Sequence, residues 1–280
     1  MRFDISTWYE TDVSATLDLM ESFVKGVEQQ AAESALKYEQ HKETDVEEHD
    51  EGSCLVESFQ GLDSQTWASL KAIFEEYFPS LQRRSAFLTV WAMFENELNK
   101  LCDRYQNERY LRLSFSDLQG KGIEQSTKYL EKVAGLNLQK STSKEWQRIV
   151  KMQNLRNVII HQDGSLRNRD SRQVKLALAY VGEADALSSQ DNEIGVKKGF
   201  LAHVLDTFRA YFKSIDDAIK KEEELFRRNP SASETWGRNP GKPGDGNPGN
   251  PGNPGTDGTF PQQFVTTPPR QIARKSRKLD

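Results

Sequence analysis

The run QRRSAFLTVWAMFENELNKLCDRYQN, residues 82–107, decides the fold class. Phe87, Val90, Trp91, Phe94, Leu98, Leu101 and Tyr105 recur in it at three- and four-residue steps. That is the period of one helix face, not the alternation of a strand. The spacing predicts a long helix from Gln82 to Asn107. Cys102 falls on the same stripe and reads as a small buried hydrophobe.

The pattern repeats on both sides of this run. Residues 14–38 carry Leu17, Met20, Val24, Val27, Ala31, Ala35 and Tyr38 at helical steps. EQHKETDVEEHDEGS, residues 39–53, is dense in acid and reads as a solvated loop or a frayed helix end. His41 and His49 sit there at no fixed ligand spacing, so they read as solvated rather than metal-binding. Asp63 or Ser64 is placed to cap a helix, SQTWASLKAIFEEYF, residues 64–78, which Pro79 should end near Phe78. Residues 122–134 and 143–161 give two more helices. From Gln162 to Gly195 the pattern weakens, and QVKLALAYV, residues 173–181, fits a short strand or a helix. A last helix begins near Lys197. Phe200, Val204, Leu205, Phe208, Phe212, Ile215 and Ile219 line one side of it, and His203 falls on the opposite, exposed side. The expected architecture is all-α: an antiparallel bundle of five or six helices over residues 1–228.

Composition changes abruptly at residue 229. Nine of the ten prolines lie in residues 229–280, around GNPGNPGNPG, residues 246–255. So few triplets cannot hold a collagen helix, so this Pro/Gly-rich tail reads as a disordered, extended linker. It ends in RQIARKSRKLD, where Arg274, Lys275, Arg277 and Lys278 form a basic cluster. Such a cluster contacts RNA or an acidic partner, or only solubilises. The tail holds seven basic and four acidic residues, a net of +3, which leaves −7 on residues 1–228. A body of that charge is not a general nucleic-acid binder, so any binding by it must be local. No apolar run is long enough to span a membrane. MRFDISTWYE has no signal-peptide pattern, and a cytoplasmic protein is expected. Cys54 and Cys102 are too far apart to form a redox or metal motif.

One predicted helix carries polar residues within an apolar run: NLRNVIIHQDG, residues 154–164. With about 100° per residue counted from Ile149, Arg156 falls at about 340°, between Met152 at about 300° and Ile160 at about 20°. An arginine on an apolar face needs a partner. Counted likewise from Phe87, Glu97 lies at about 280°, on the edge of the long helix's core stripe, and Glu95 lies on the other edge. Glu97, or failing that Glu95, is therefore expected to face Arg156. Asn157 and His161 are four residues apart on the flank, so their side chains can touch. The amide could hydrogen-bond the imidazole and fix its tautomer.

Arg156-Asn157-Val158-Ile159-Ile160-His161 resembles the signature of the HEPN superfamily (higher eukaryotes and prokaryotes nucleotide-binding). That signature is an arginine, four to six residues, then a histidine, often with a polar residue directly after the arginine. FENELNKLCDRY, residues 94–105, is similar to the acid-bearing earlier helix of bacterial members. The resemblance spans roughly residues 60–225. It implies a HEPN-like bundle and a metal-independent endoribonuclease that needs no cofactor. It also implies a homodimer, with two motifs lining one cleft. An RNA 2′-hydroxyl would attack the adjacent phosphate, breaking its bond to the 5′-oxygen of the next nucleotide, and leave a 2′,3′-cyclic phosphate and a 5′-hydroxyl. Arg156, Asn157 and His161 would be the catalytic residues, supported by Glu97 or Glu95. Bacterial relatives of this kind act as toxins or antiviral-defence effectors, often beside an antitoxin or sensor protein.

Two other classes fit the sequence. One is a non-catalytic HEPN module that binds RNA or a partner protein. The other is a helical adaptor whose function lies in the tail. No P-loop or metal-ligand cluster points to a nucleotide-phosphate enzyme or a metalloenzyme.

Overall fold

The computed structural model describes residues 5–49, 52–67, 69–140 and 142–228. The tail from residue 229, with Arg274, Lys275, Arg277 and Lys278, lies outside the described residues. Six α-helices of ten or more residues dominate: α1 Ser14–His41, α3 Phe78–Glu108, α4 Ile123–Lys132, α5 Lys144–Gln162, α6 Arg172–Glu183 and α7 Phe200–Arg228. A short helix, α2 Leu70–Ala72, precedes α3. The all-α expectation needs correction, because two antiparallel sheets are present. One is β1 Glu43–His49, β2 Gly52–Phe59 and β3 Leu62–Asp63, in that order; the other is β4 Leu187–Gln190 with β5 Glu193–Val196.

The long helix α3 is central, as its stripe predicts. Phe87, Val90, Trp91, Phe94, Leu98, Leu101, Cys102 and Tyr105 are all buried. Phe94 stacks on Phe208 of α7 with ring centroids 3.9 Å apart, while Phe87 meets Phe200 edge-on at 5.3 Å. Each fully buried ring of this kind contributes about 1.5–3 kcal/mol. Trp8, ahead of α1, closes the same core against Phe212.

The acidic run 39–53, expected as a loop or a frayed helix end, holds the end of α1, all of β1 and, at Gly52 and Ser53, the start of β2. β1 pairs with β2 from Glu43↔Ser58 to His49↔Gly52. Val46 and Leu55 face each other in this register, yet both are exposed, and only Val56 of the hairpin is buried. With both faces largely wet, no apolar alternation is written into the strand. The sheet is anchored at its base. Tyr38 stacks on Phe74, and Phe59 packs edge-on against both. The Tyr38 hydroxyl donates to Glu57 at 2.8 Å.

The helix expected over 64–78 starts later and does not end at Pro79. Asp63 Oδ1 accepts from the amides of Gln65 and Thr66, which makes a turn rather than a cap. Ser64 Oγ accepts from the Glu57 amide. The cap is Ser69, whose Oγ accepts from the Ala72 amide at 3.2 Å. Ile73–Tyr77 then forms a π-turn, with the Phe78 amide on the Ile73 carbonyl, and the chain runs on into α3. The wider turn leaves room for the Pro79 ring beside the preceding carbonyls, and Pro79 has no N–H to orphan.

QVKLALAYV is helical, within α6. Lys151 of α5 hydrogen-bonds Glu183 at the far end of α6. The two helices are therefore antiparallel, and the start of α6 lies level with the end of α5. No described helix is long and apolar enough to cross a membrane.

Candidate functional site

The motif lies on the last turns of α5. Ser143 starts this helix, its Oγ accepting from the Trp146 amide at 3.1 Å. The buried residues of α5 are Ile149, Met152, Leu155, Val158 and Ile159. That stripe is rotated from the expected one: Val158 belongs to it, and Ile160 is 43% exposed. Arg156 is thereby moved from the middle of the apolar face to its rim.

This shift overturns the expected ion pair. Half-buried Arg156 donates from Nη1 to Oδ1 of Asn157 at 3.1 Å, and its buried Nε has no partner. Glu97 is buried elsewhere. Its Oε1 accepts from Thr16 Oγ1 at 3.0 Å and from Lys100 Nζ at 2.8 Å. Glu95 lies beside the turn before α4, where a Cβ at Gly122 would stand 2.5 Å from its Oε1. Neither carboxylate pairs with Arg156. On the rim the guanidinium keeps access to solvent, so a buried counter-charge is unnecessary.

The expected Asn157–His161 contact is also absent. The Asn157 oxygen is turned to Arg156, and exposed His161 has no hydrogen bond within the described residues. The structure thus joins Arg156 to Asn157 and leaves His161 open, one residue past exposed Ile160. About 140° of helix separates Arg156 from His161, so one chain does not aim both at a single point.

A turn directly after the motif ends α5, and the arginine that braces it was missed in the sequence. Asp163 caps the helix in the left-handed region at φ 50°, and Gly164 follows at φ 75°. The amides of both reach back to the Val158 carbonyl. Arg84 of α3, buried under this turn, donates from Nη1 to the Asp163 carbonyl at 3.0 Å. Its Nη2 lies 3.9 Å from Glu193. Gly164 is pressed against this guanidinium: an added Cβ would meet Nη1 at 2.5 Å. The tip of the β4–β5 hairpin completes the brace. The Leu166 amide donates to Asn192 at 2.6 Å, and the Ile194 amide to Gly164 at 3.0 Å. The signal for Arg84 was available: counted from Phe87 it falls at about 60°, beside Trp91 at about 40°, on the core stripe of α3.

A cavity of about 460 Å³ lies elsewhere, at the base of the first sheet, between His41, Glu43 and Phe59. None of its lining residues is on α5. Among the described residues no group of three His, Cys, Asp or Glu side chains is placed to hold a metal ion.

A comparison with family models, with curated proteins and with solved structures finds no match.

Proposed function

We propose that the chain is a metal-independent endoribonuclease of the HEPN type, acting as a toxin or antiviral-defence effector. One observation carries this reading: the motif side chains are presented outward, not consumed in the core. His161 is exposed at the end of a braced helix, and the bonded pair Arg156–Asn157 sits on the adjoining rim. An exposed imidazole suits removal of the proton from an RNA 2′-hydroxyl. The guanidinium of Arg156, held by Asn157, would neutralise charge growing on the phosphoryl oxygens. The divergence of Arg156 and His161 on one helix is met by a homodimer, where each cleft draws on two motifs. An antitoxin or sensor protein is the expected protein partner.

A second reading is a non-catalytic module that binds RNA or protein. It is favoured by His161 making no hydrogen bond among the described residues that would fix its tautomer. A defined single-stranded RNA separates the two. The nuclease reading expects cleavage that leaves 2′,3′-cyclic phosphate, and expects an all-2′-deoxy strand of the same sequence to stay intact. Cleavage of both strands, or of neither, counts against it.

A further inference from the structure

The segment that leaves the motif differs in charge from the rest of the body. SLRNRDSRQVK, residues 165–175, holds four basic residues and one acid, whereas residues 1–228 carry a net of −7. Arg167, Arg169, Arg172 and Lys175 are all exposed. Several arginines elsewhere are tied to carboxylates: Arg83 to Glu28 at 2.9 Å, Arg104 to Asp12 at 2.8 Å, Arg209 to Glu21 at 3.0 Å. The side chains of Arg167 and Arg172 engage no partner among the described residues. Arg169 bonds only the neutral amide oxygen of Asn192, at 3.1 Å. Lys175 stands 4.0 Å from the lone acid, Asp170, and both are well exposed. Glu193, at the hairpin tip, is directed to buried Arg84.

The segment is also held in shape. Leu166 is buried, Ser165 bridges to Glu193, and Arg169 is fastened to Asn192. Its position follows from topology. It begins four residues after His161, and the antiparallel pairing of α5 and α6 keeps Arg172 and Lys175 at the same end of the bundle. Four exposed cations around one exposed acid, on a shaped segment of an acidic body, make a local surface suited to a polyanion.

We propose that Arg167, Arg172 and Lys175 bind the phosphate backbone of a single-stranded RNA and lead it past His161. This deepens the nuclease reading and rests on it. It places RNA contact in the helical body itself, beside the motif, rather than in the basic end of the tail. Each phosphate contact releases counterions, so affinity should fall with salt by about 0.7 in log–log slope per contact on a single strand.

The test uses the full-length chain carrying His161→Ala, which binds without cutting, and a labelled oligouridylate. Affinity is measured from about 50 to 200 mM salt, with and without Arg167→Gln, Arg172→Gln and Lys175→Gln together. The triple variant should bind about tenfold more weakly at low salt, with a slope shallower by about two. A circular-dichroism melt matching the parent shows that it folds. Unchanged affinity and slope would overturn the proposal, as would failure of the parent to bind at low salt. Cleavage by the chain with His161 intact is scored separately. If it cuts RNA but the triple variant binds normally, the surface fails and the nuclease reading stands. If binding runs through the segment but nothing is cut, the nuclease reading fails and the surface stands.

Discussion

Gly164 is the residue on which the end of α5 turns. Its φ of 75° excludes most side chains on backbone grounds, and Arg84 Nη1 occupies the space a Cβ would need. Gly164→Ala should therefore destabilise the fold by about 1–3 kcal/mol in urea unfolding. A wild-type midpoint would mean that Arg84 and the turn move apart freely. The turn itself was legible, since a glycine directly follows the last polar residues of the motif. Arg84 lies on the core stripe beside Trp91, but its partner, the backbone carbonyl of Asp163, is supplied only by the fold. Arg156 failed in the opposite direction. Ile160 was counted as core, which drew Arg156 inward on the wheel; in the fold Ile160 faces solvent and the arginine needs only Asn157. A wheel gives the spacing of side chains but not the angle at which the neighbouring helices meet it.

At the scale of elements, helices with one continuous apolar stripe were legible and short strands were not. β1 hides because a hairpin wet on both faces carries no burial pattern. β4 and β5 are four residues each, too short for a period to show, although Asp191 and Asn192 at positive φ make their turn. Pro79 misled because one π-turn ahead of it carries the chain through. The pairing of α3 and α7 yields a test of its own. Tyr105 donates to Glu222 at 2.9 Å in a largely buried contact. Burial pushes the Glu222 carboxyl above its ordinary value of 4.5. A carboxyl raised on folding costs stability once ionised, and that cost is absent below its unfolded value. Glu222→Gln keeps an acceptor for Tyr105 and removes the charge. It should raise the melting temperature at pH 7 and lose that advantage near pH 4. An equal gain at both pH values would show that the gain does not come from removing the ionised carboxylate.

For the whole molecule, the central matter is what an acidic helical body does with one outward motif and one basic segment beside it. The body carries the charge to repel most nucleic acid. The segment after α5 offers a local exception, and His161 stands at its start. The helical framework was legible in the sequence and the two sheets were not; the proposed function rests on a short motif whose surroundings only the fold supplies. The most direct measurement incubates the purified full-length chain with total RNA in the presence of a chelator, beside Arg156→Ala and His161→Ala versions. His161 is exposed and Arg156 lies on a rim, so the unfolding free energies of the three in urea should differ by no more than about 1 kcal/mol. The account predicts that only the wild-type chain cuts, leaving 2′,3′-cyclic phosphate ends. Three chains that behave alike, whether all cut or none does, would contradict it.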